Sequence, residues 1–352
     1  MLIQDDRVPV TLLTGFLGVG KTTLLNHVIR NPDAGRIAVV MNEFRDVGLD
    51  HDLIEEVTGD IVLMHAGCLC CSIRADLAKT MALLLSRRKR GELIFDRVII
   101  ETTGIADPGP IMNTMVTDTM IADNYRLDGV VGLADAATGP QTLDKQFEAV
   151  NQIAMADLIV VTKTDLVTLS ECEEFETRLG GINSSAHRVK ADHGRIPIDT
   201  LFGLSAMRPN ATSDDITDWL GVNTHHAHDD HRHHRIESAS IEVAEPIQLS
   251  VFEFWLESLL ALKGPDILRM KGIVHIEGNE QPHVFHGVQH IFDLPVPLTS
   301  WSGKDTTSRA VLTARNMEKS ELEASLEVLL GRMKSPEAGV EARRFEAAET
   351  SF

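Results

Sequence analysis

The sequence lacks a long hydrophobic run, an excess of basic residues and a basic leader. No apolar run approaches the roughly 18–20 residues that a helix needs to cross a bilayer, so we expect no membrane association. Acidic residues outnumber basic ones by 52 to 33, which argues against a nucleic-acid partner because basic surfaces bind phosphate backbones. The first six residues lack the basic region of a signal peptide, and we expect a cytoplasmic protein.

Cysteine is also scarce, with four residues in 352. Three of them are packed into the segment Cys68-Leu69-Cys70-Cys71, and neighbours that close are poor candidates for a disulfide framework. The spacing favours thiol or metal chemistry in a reducing compartment. Cys172 is isolated among acidic residues, and we interpret it as a small buried apolar side chain.

What the chain does have is a complete phosphate loop, G-x-x-x-x-G-K-[ST], at residues 15–22. An apolar run (8–13) precedes it and a helical pattern (23–29) follows, which is the context that the motif requires. Its glycines let backbone N–H groups turn inward, and the helix adds its positive N-terminal end. Lys21 is predicted to reach the β- and γ-phosphates, and the Thr22 hydroxyl to hold Mg²⁺. The predicted nucleotide-binding residues here are Gly15, Gly18, Val19, Gly20, Lys21, Thr22 and Thr23.

Apolar runs alternate with helical patterns over residues 1–222, which predicts a doubly wound, mostly parallel α/β sheet of the P-loop NTPase class. Strands are predicted at 37–41, 61–64, 97–100, 129–133 and 158–161, and helices at 73–87, 110–118 and 143–154. A polar linker (223–235) follows. Residues 236–334 then predict a smaller α+β domain with an antiparallel sheet. Its predicted elements are strands at 236–249, 268–277, 283–293 and 311–314 and helices at 250–262 and 318–333, and residues 335–352 form a polar tail.

Two further segments extend the nucleotide site. The strand at 98–100 runs into Glu101, where P-loop enzymes place a second acid on the Mg²⁺ side, so we predict Glu101 as a catalytic and Mg²⁺ residue with Lys21 and Thr22. Residues 162–165 are similar to the guanine-reading N-K-x-D motif, with Thr162 at the asparagine position, then Lys163 and Asp165. The Asp165 carboxylate can accept two hydrogen bonds that guanine offers and adenine does not. We predict GTP as the nucleotide and a Ser-Ala loop containing Ser205 as the completion of the base site.

The three clustered cysteines follow a predicted strand and precede a predicted helix. A helix N-terminus favours thiolates, and thiolates this close together suit Zn²⁺ or Cu⁺. Three ligands leave a Zn²⁺ site open or completed from outside the motif. The alternative is a set of buried free cysteines that act as small apolar residues.

Six histidines lie within ten residues of the linker. Imidazole binds Zn²⁺, Ni²⁺, Co²⁺ and Cu²⁺, so we predict a weak additional metal site, with a hydrophilic spacer as the alternative. These histidines are His225, His226, His228, His231, His233 and His234.

Together these motifs resemble the CobW family of P-loop GTPases. The similarity rests on residues 15–23, Asn42-Glu43-Phe44, Cys68-Leu69-Cys70-Cys71, and residues 101–108, 162–165, 268–272 and 287–290. The resemblance implies a GTP-dependent metallochaperone with slow turnover, which uses GTP and Mg²⁺, holds Zn²⁺ (or Co²⁺ or Ni²⁺) at the cysteines and delivers it to a client metalloprotein. It also implies Glu43 as a metal ligand and Asp50 as a carboxylate near Mg²⁺. A cobalamin-pathway GTPase that handles Co²⁺, a metal-storage protein and a homo-oligomer all stay open.

Overall fold

The computed structural model describes residues 5–42, 62–65, 73–206, 212–221, 236–289, 291–292, 295–298, 301 and 305–330. Several predicted ligands lie outside these residues: Glu43, Asp50, Cys68, Cys70, Cys71 and the six linker histidines. No helix in the described part of the chain is both long and apolar enough to cross a membrane.

The N-terminal domain is built on a seven-stranded sheet whose described pairings are all parallel. Its strands are β1 (Val8–Gly15), β2 (Ile37–Asn42), β3 (Val62–His65), β4 (Arg97–Thr102), β5 (Tyr125–Asp135), β6 (Leu158–Thr162) and β7 (His187–Lys190). Their order is β3-β2-β4-β1-β5-β6-β7. The buried runs that predicted a doubly wound sheet pack as its central strands, and that prediction is confirmed.

Eight helices are described in this domain: α1 (Lys21–Arg30), α2 (Ile73–Lys89), α3 (Gly109–Thr117), α4 (Thr119–Asn124), α5 (Gly139–Lys145), α6 (Phe147–Ala154), α7 (Leu169–Ile182) and α8 (Ser213–Leu220). The single helix predicted at 143–154 is wrong. Gln146 has an extended backbone (φ −121°, ψ 106°), which divides the segment into α5 and α6.

The C-terminal domain has the predicted antiparallel sheet, in the order β11-β10-β9-β13-β8 with β12 paired to β10. Its elements are β8 (Ile236–Val243), α9 (Leu249–Lys263), β9 (Ile267–Val274), β10 (His283–Val288), β11 (Ile291–Phe292), β12 (Val296–Pro297), β13 (Ser308–Arg315) and α10 (Lys319–Glu327). The first strand ends six residues before its predicted end and is followed by a segment containing Pro246, which cannot donate to a strand ladder. The strand predicted at 283–293 breaks at Gln289, whose φ is 55°.

Apolar packing and a buried ion cluster join the two domains. Ile236, Leu268 and Val288 of the C-terminal domain pack within the main core of the N-terminal domain. Arg269 and Lys271 on β9 both meet Asp157, which lies between α6 and β6, with nitrogen–oxygen distances of 2.5 and 3.0 Å. All three side chains are at most 4 % exposed.

The charges in this cluster depend on one another. Burial alone would raise the pKa of Asp157, but the Arg269 and Lys271 cations and a hydrogen bond from the Val130 N–H hold it well below its usual range. Burial, reinforced by neighbouring Arg269, lowers the pKa of Lys271 to about 8. The cluster therefore fixes β9 of the C-terminal domain to the end of α6.

Candidate functional site

The phosphate loop connects β1 to α1 and has the backbone that its glycines allow. Gly15, Gly18 and Gly20 have φ values of 145°, 74° and 99°, which side-chain-bearing residues rarely adopt. A Cβ at Gly15 would lie 2.9 Å from the Leu133 carbonyl oxygen, so this position also has no room for a side chain. Gly20 precedes α1 with no side-chain cap, and the first N–H groups of the helix lie beside the loop. This cradle fits a phosphate group.

Lys21 lies at the mouth of the cradle. Its ammonium donates to the Gly15 carbonyl (2.7 Å) and the Phe16 carbonyl (3.1 Å), and the residue is 9 % exposed. Thr22 is half-buried and Thr23 exposed in the first turn of α1. The cation thus holds the loop closed, at the place where the sequence predicts contact with phosphates.

The ends of four neighbouring parallel strands place Glu101 at the same end of the sheet as the phosphate loop. Glu101 pairs with Leu13 of β1 and Met41 of β2, and Met41 in turn pairs with His65 of β3. The Glu101 side chain is buried, and the neighbouring Thr102 hydroxyl donates to Thr14 Oγ1 at 2.9 Å. Glu101 is therefore the next-to-last residue of β4, and its partner Leu13 lies two residues before the phosphate loop.

The predicted metal ligands come soon after strands that end at this same end of the sheet. Glu43 comes directly after β2, and Cys68 comes three residues after β3 ends at His65. With neighbouring strands about 4.8 Å apart, the end of β3 lies about 14 Å from the end of β1, three strands away. No group of three or more possible ligands occurs among the described residues, so the structure leaves the predicted metal site untested.

On the base side, Thr162 has a different role from the one that its sequence position predicts. Its hydroxyl donates to the Val19 carbonyl of the phosphate loop (2.8 Å) and reaches the Ala134 carbonyl at 3.3 Å. Thr162 therefore ties β6 to the phosphate loop, and in this arrangement its proton is not directed at a base.

Lys163 and Asp165 follow at the same edge. Lys163 has φ 54° and donates to Asp135 at 2.6 Å. Burial would raise the pKa of Asp135, but hydrogen bonds from Lys163, Thr138 and nearby backbone hold it below its usual value. Asp165 is exposed and has no hydrogen bond or ion pair to the described residues, so its carboxylate is accessible to a base.

The segment that contains Ser205 packs away from the nucleotide end of the sheet. The adjoining Gly203 N–H donates to Asp128, and Leu204 packs against Gly129 in the first half of β5. Asp135, at the nucleotide end of that strand, is six residues and about 20 Å further along. A Ser-Ala pair is too short to predict which part of the fold its segment will contact. Ser205 is buried, and the adjacent Ala206 belongs to an apolar cluster formed by both domains.

The turn that does lie beside the nucleotide edge comes directly after β7. Ala191 N–H donates to the Val161 carbonyl, and a Cβ at Gly194 would lie 2.9 Å from Thr23 Cγ2 on α1. The exposed side chains of Asp192 and His193 flank this contact. The turn was not predicted because it follows β7, a short polar strand and the outermost one of the sheet, which the apolar pattern does not indicate. The useful signal is chain order, since a base-site loop should follow the strand after β6.

Comparisons with known proteins cover nearly all of the described fold. Residues 9–190 match the family model of the CobW/HypB/UreG nucleotide-binding domain, and residues 236–330 match the cobalamin synthesis protein cobW C-terminal domain. The zinc chaperone YjiA of Escherichia coli is 35% identical over 289 residues, which cover 82% of this chain and 88% of that protein. The zinc-regulated GTPase metalloprotein activator 1 of Schizosaccharomyces pombe is 30% identical over 351 residues, covering 89% of this chain and 84% of that one. A crystal structure of the zinc-bound YjiA GTPase from E. coli aligns with a TM-score of 0.71 at 29% identity, covering 92% of this chain and 99% of that one.

Proposed function

Because this chain belongs to the CobW family of P-loop GTPases, we propose that it is a GTP-hydrolysing metallochaperone that binds Zn²⁺ at Cys68, Cys70 and Cys71 and transfers it to a client metalloprotein. One observation carries the proposal. Strands β1, β4, β2 and β3 are neighbours in one sheet, and their carboxyl ends lie at the same end of it. The phosphate loop follows β1, Glu101 lies at the end of β4, and the other two strands lead into Glu43 and the cysteines. This arrangement supports coupling between the γ-phosphate site and the metal ligands.

The described residues take specific roles at the nucleotide. The glycines of the cradle and the N-terminus of α1 bind phosphate oxygens, and Lys21 exchanges its two carbonyl partners for the β- and γ-phosphates. Thr22, Glu101 and Asp50 would hold a Mg²⁺, which would neutralise charge that develops on the phosphates. Asp165 reads guanine, while Thr162 supports the loop beneath it. We propose slow intrinsic turnover, as expected for an enzyme that serves as a switch.

The metal is cargo in this proposal. Three thiolates and the Glu43 carboxylate make a four-ligand set that suits Zn²⁺, with Co²⁺ or Ni²⁺ as the other metals for such a site. The linker histidines supply weaker imidazole ligands. The function is tested by measuring zinc affinity in defined nucleotide states, because a GTP-dependent chaperone requires its affinity for zinc to be coupled to its affinity for GTP.

Replacing Asp165 with asparagine is expected to remove the preference for GTP over ATP. The amide cannot accept both guanine hydrogen bonds, so GTP affinity should fall about 10- to 100-fold while ATP affinity stays unchanged. Competition against a fluorescent nucleotide measures both affinities.

Asp199→Asn is the matched control, since Asp199 is also an exposed aspartate in a short 3₁₀ helix. This control should behave as wild type. Equal affinities of the native protein for ATP and GTP would contradict the assignment of guanine recognition to Asp165.

A further inference from the structure

The loop at residues 103–108, which joins β4 to α3, packs directly on the phosphate loop. A Cβ at Gly104 would lie 2.6 Å from the Leu17 side chain and 2.7 Å from its backbone nitrogen. Gly104 follows the buried Glu101 by three residues, so this loop lies on the predicted Mg²⁺ side of the nucleotide site, where P-loop enzymes bind the γ-phosphate. Whatever positions the 103–108 loop therefore acts on the part of the site that distinguishes GTP from GDP.

Gln152 of α6 holds the 103–108 loop from beneath. Its side chain is fully buried, and Nε2 donates to the carbonyls of Gly104 (3.2 Å) and Ala106 (3.0 Å). Its Oε1 has no hydrogen-bond partner among the described residues. A buried acceptor without a hydrogen-bond partner costs free energy of folding. A second arrangement of the loop, in which one of its backbone N–H groups donates to Oε1, would remove that cost.

The C-terminal domain contacts Gly109, the residue that directly follows this loop. Gln289, held at φ 55° after β10, places its side chain over Gly109, where a Cβ would lie 2.8 Å from Nε2. Gly109 begins α3, and its N–H donates to Asp107 of the loop at 2.8 Å. Arg269, also of the C-terminal domain, donates to the Met155 carbonyl at the end of α6. The C-terminal domain thus contacts both elements that position the loop.

We infer that Gln152 and Gln289 are positioning residues through which the C-terminal domain stabilises the GTP-bound arrangement of the 103–108 loop. This inference rests on the proposed binding of GTP. A loop held against the phosphate loop can contribute to binding a γ-phosphate, whereas GDP has no group there for it to contact. The coupling is reciprocal: the factor by which the C-terminal domain contact strengthens GTP binding is also the factor by which GTP binding strengthens that contact.

The test compares nucleotide affinities in two variants of the full chain. Gln152→Met keeps the side-chain length but removes both donors. Gln289→Asn keeps a residue that tolerates positive φ but withdraws the amide from Gly109. Each variant is expected to bind a non-hydrolysable GTP analogue about 3- to 30-fold more weakly, while GDP affinity changes less than twofold. Calorimetry with each nucleotide gives the ratio of the affinity for the GTP analogue to the affinity for GDP.

Two controls separate positioning from general destabilisation. Gln146→Met makes the same substitution at the start of α6, and Gln281→Asn makes the same one on the exposed residue two positions before β10. Both should retain the wild-type ratio. An equal loss for GTP analogue and GDP, or an unchanged ratio in either test variant, would overturn the inference. Wild-type protein that binds neither nucleotide would instead contradict the proposed function.

Discussion

Replacing Lys21 with alanine is expected to abolish GTP binding and hydrolysis while the fold is retained. The buried Lys21 ammonium lies at the mouth of the phosphate cradle and donates to two carbonyls of the loop, so it is placed to neutralise phosphate charge. Losing a preorganised donor of this kind lowers turnover about 100-fold or more. Phosphate release measures hydrolysis, and titration with a fluorescent GTP analogue measures binding.

The matched control is Lys145→Ala, which removes an exposed lysine at the end of α5. It should bind and hydrolyse GTP as wild type does, and circular dichroism should show both variants folded. A folded Lys21→Ala protein with wild-type turnover would contradict the assignment of residues 15–22 as the nucleotide site.

Replacing Asp157 with asparagine is expected to destabilise the protein by about 3–5 kcal/mol. The carboxylate is the shared counter-charge of Arg269 and Lys271, and all three groups are buried between the domains. The amide leaves two cations without that counter-charge, and burial makes the loss far larger than at the surface. Denaturant unfolding, followed by tryptophan fluorescence, reports the change because Trp219 lies beside Lys271.

Asp144→Asn provides the comparison, since Asp144 pairs with Arg178 at 2.6 Å but is 52% exposed. A surface pair of this kind contributes about 0–1 kcal/mol. If Asp157→Asn lowered stability by no more than Asp144→Asn, the buried ion cluster would not contribute to joining the domains.

Much of the N-terminal domain could be predicted because its chemistry is local. Buried apolar runs become the central strands, and a glycine-rich loop between a strand and a helix has few alternative structures. The break at Gln146 and the polar strand β7 were missed, because tertiary context sets backbone conformation where the apolar pattern is weak.

Long-range contacts explain the other differences at the site. Thr162 was assigned to the base, but its hydroxyl bonds Val19, which lies 143 residues earlier. The Arg269 and Asp157 positions are separated by 112 residues, and no sequence pattern pairs them. Ser205 was assigned to the base site from a two-residue similarity, which does not indicate the end of the sheet that its segment contacts.

The most direct test of the central claim is a chelator-competition titration of Zn²⁺ on the apo, GDP-bound and GTP-analogue-bound protein. We expect one tight zinc site, and an affinity that is about 5- to 150-fold higher with the GTP analogue than with GDP. Cys70→Ser and Cys71→Ser should lose the tight site, and Cys172→Ser, which alters the buried cysteine of α7, should keep it. Zinc affinity that is identical in all three nucleotide states would contradict a GTP-dependent metallochaperone.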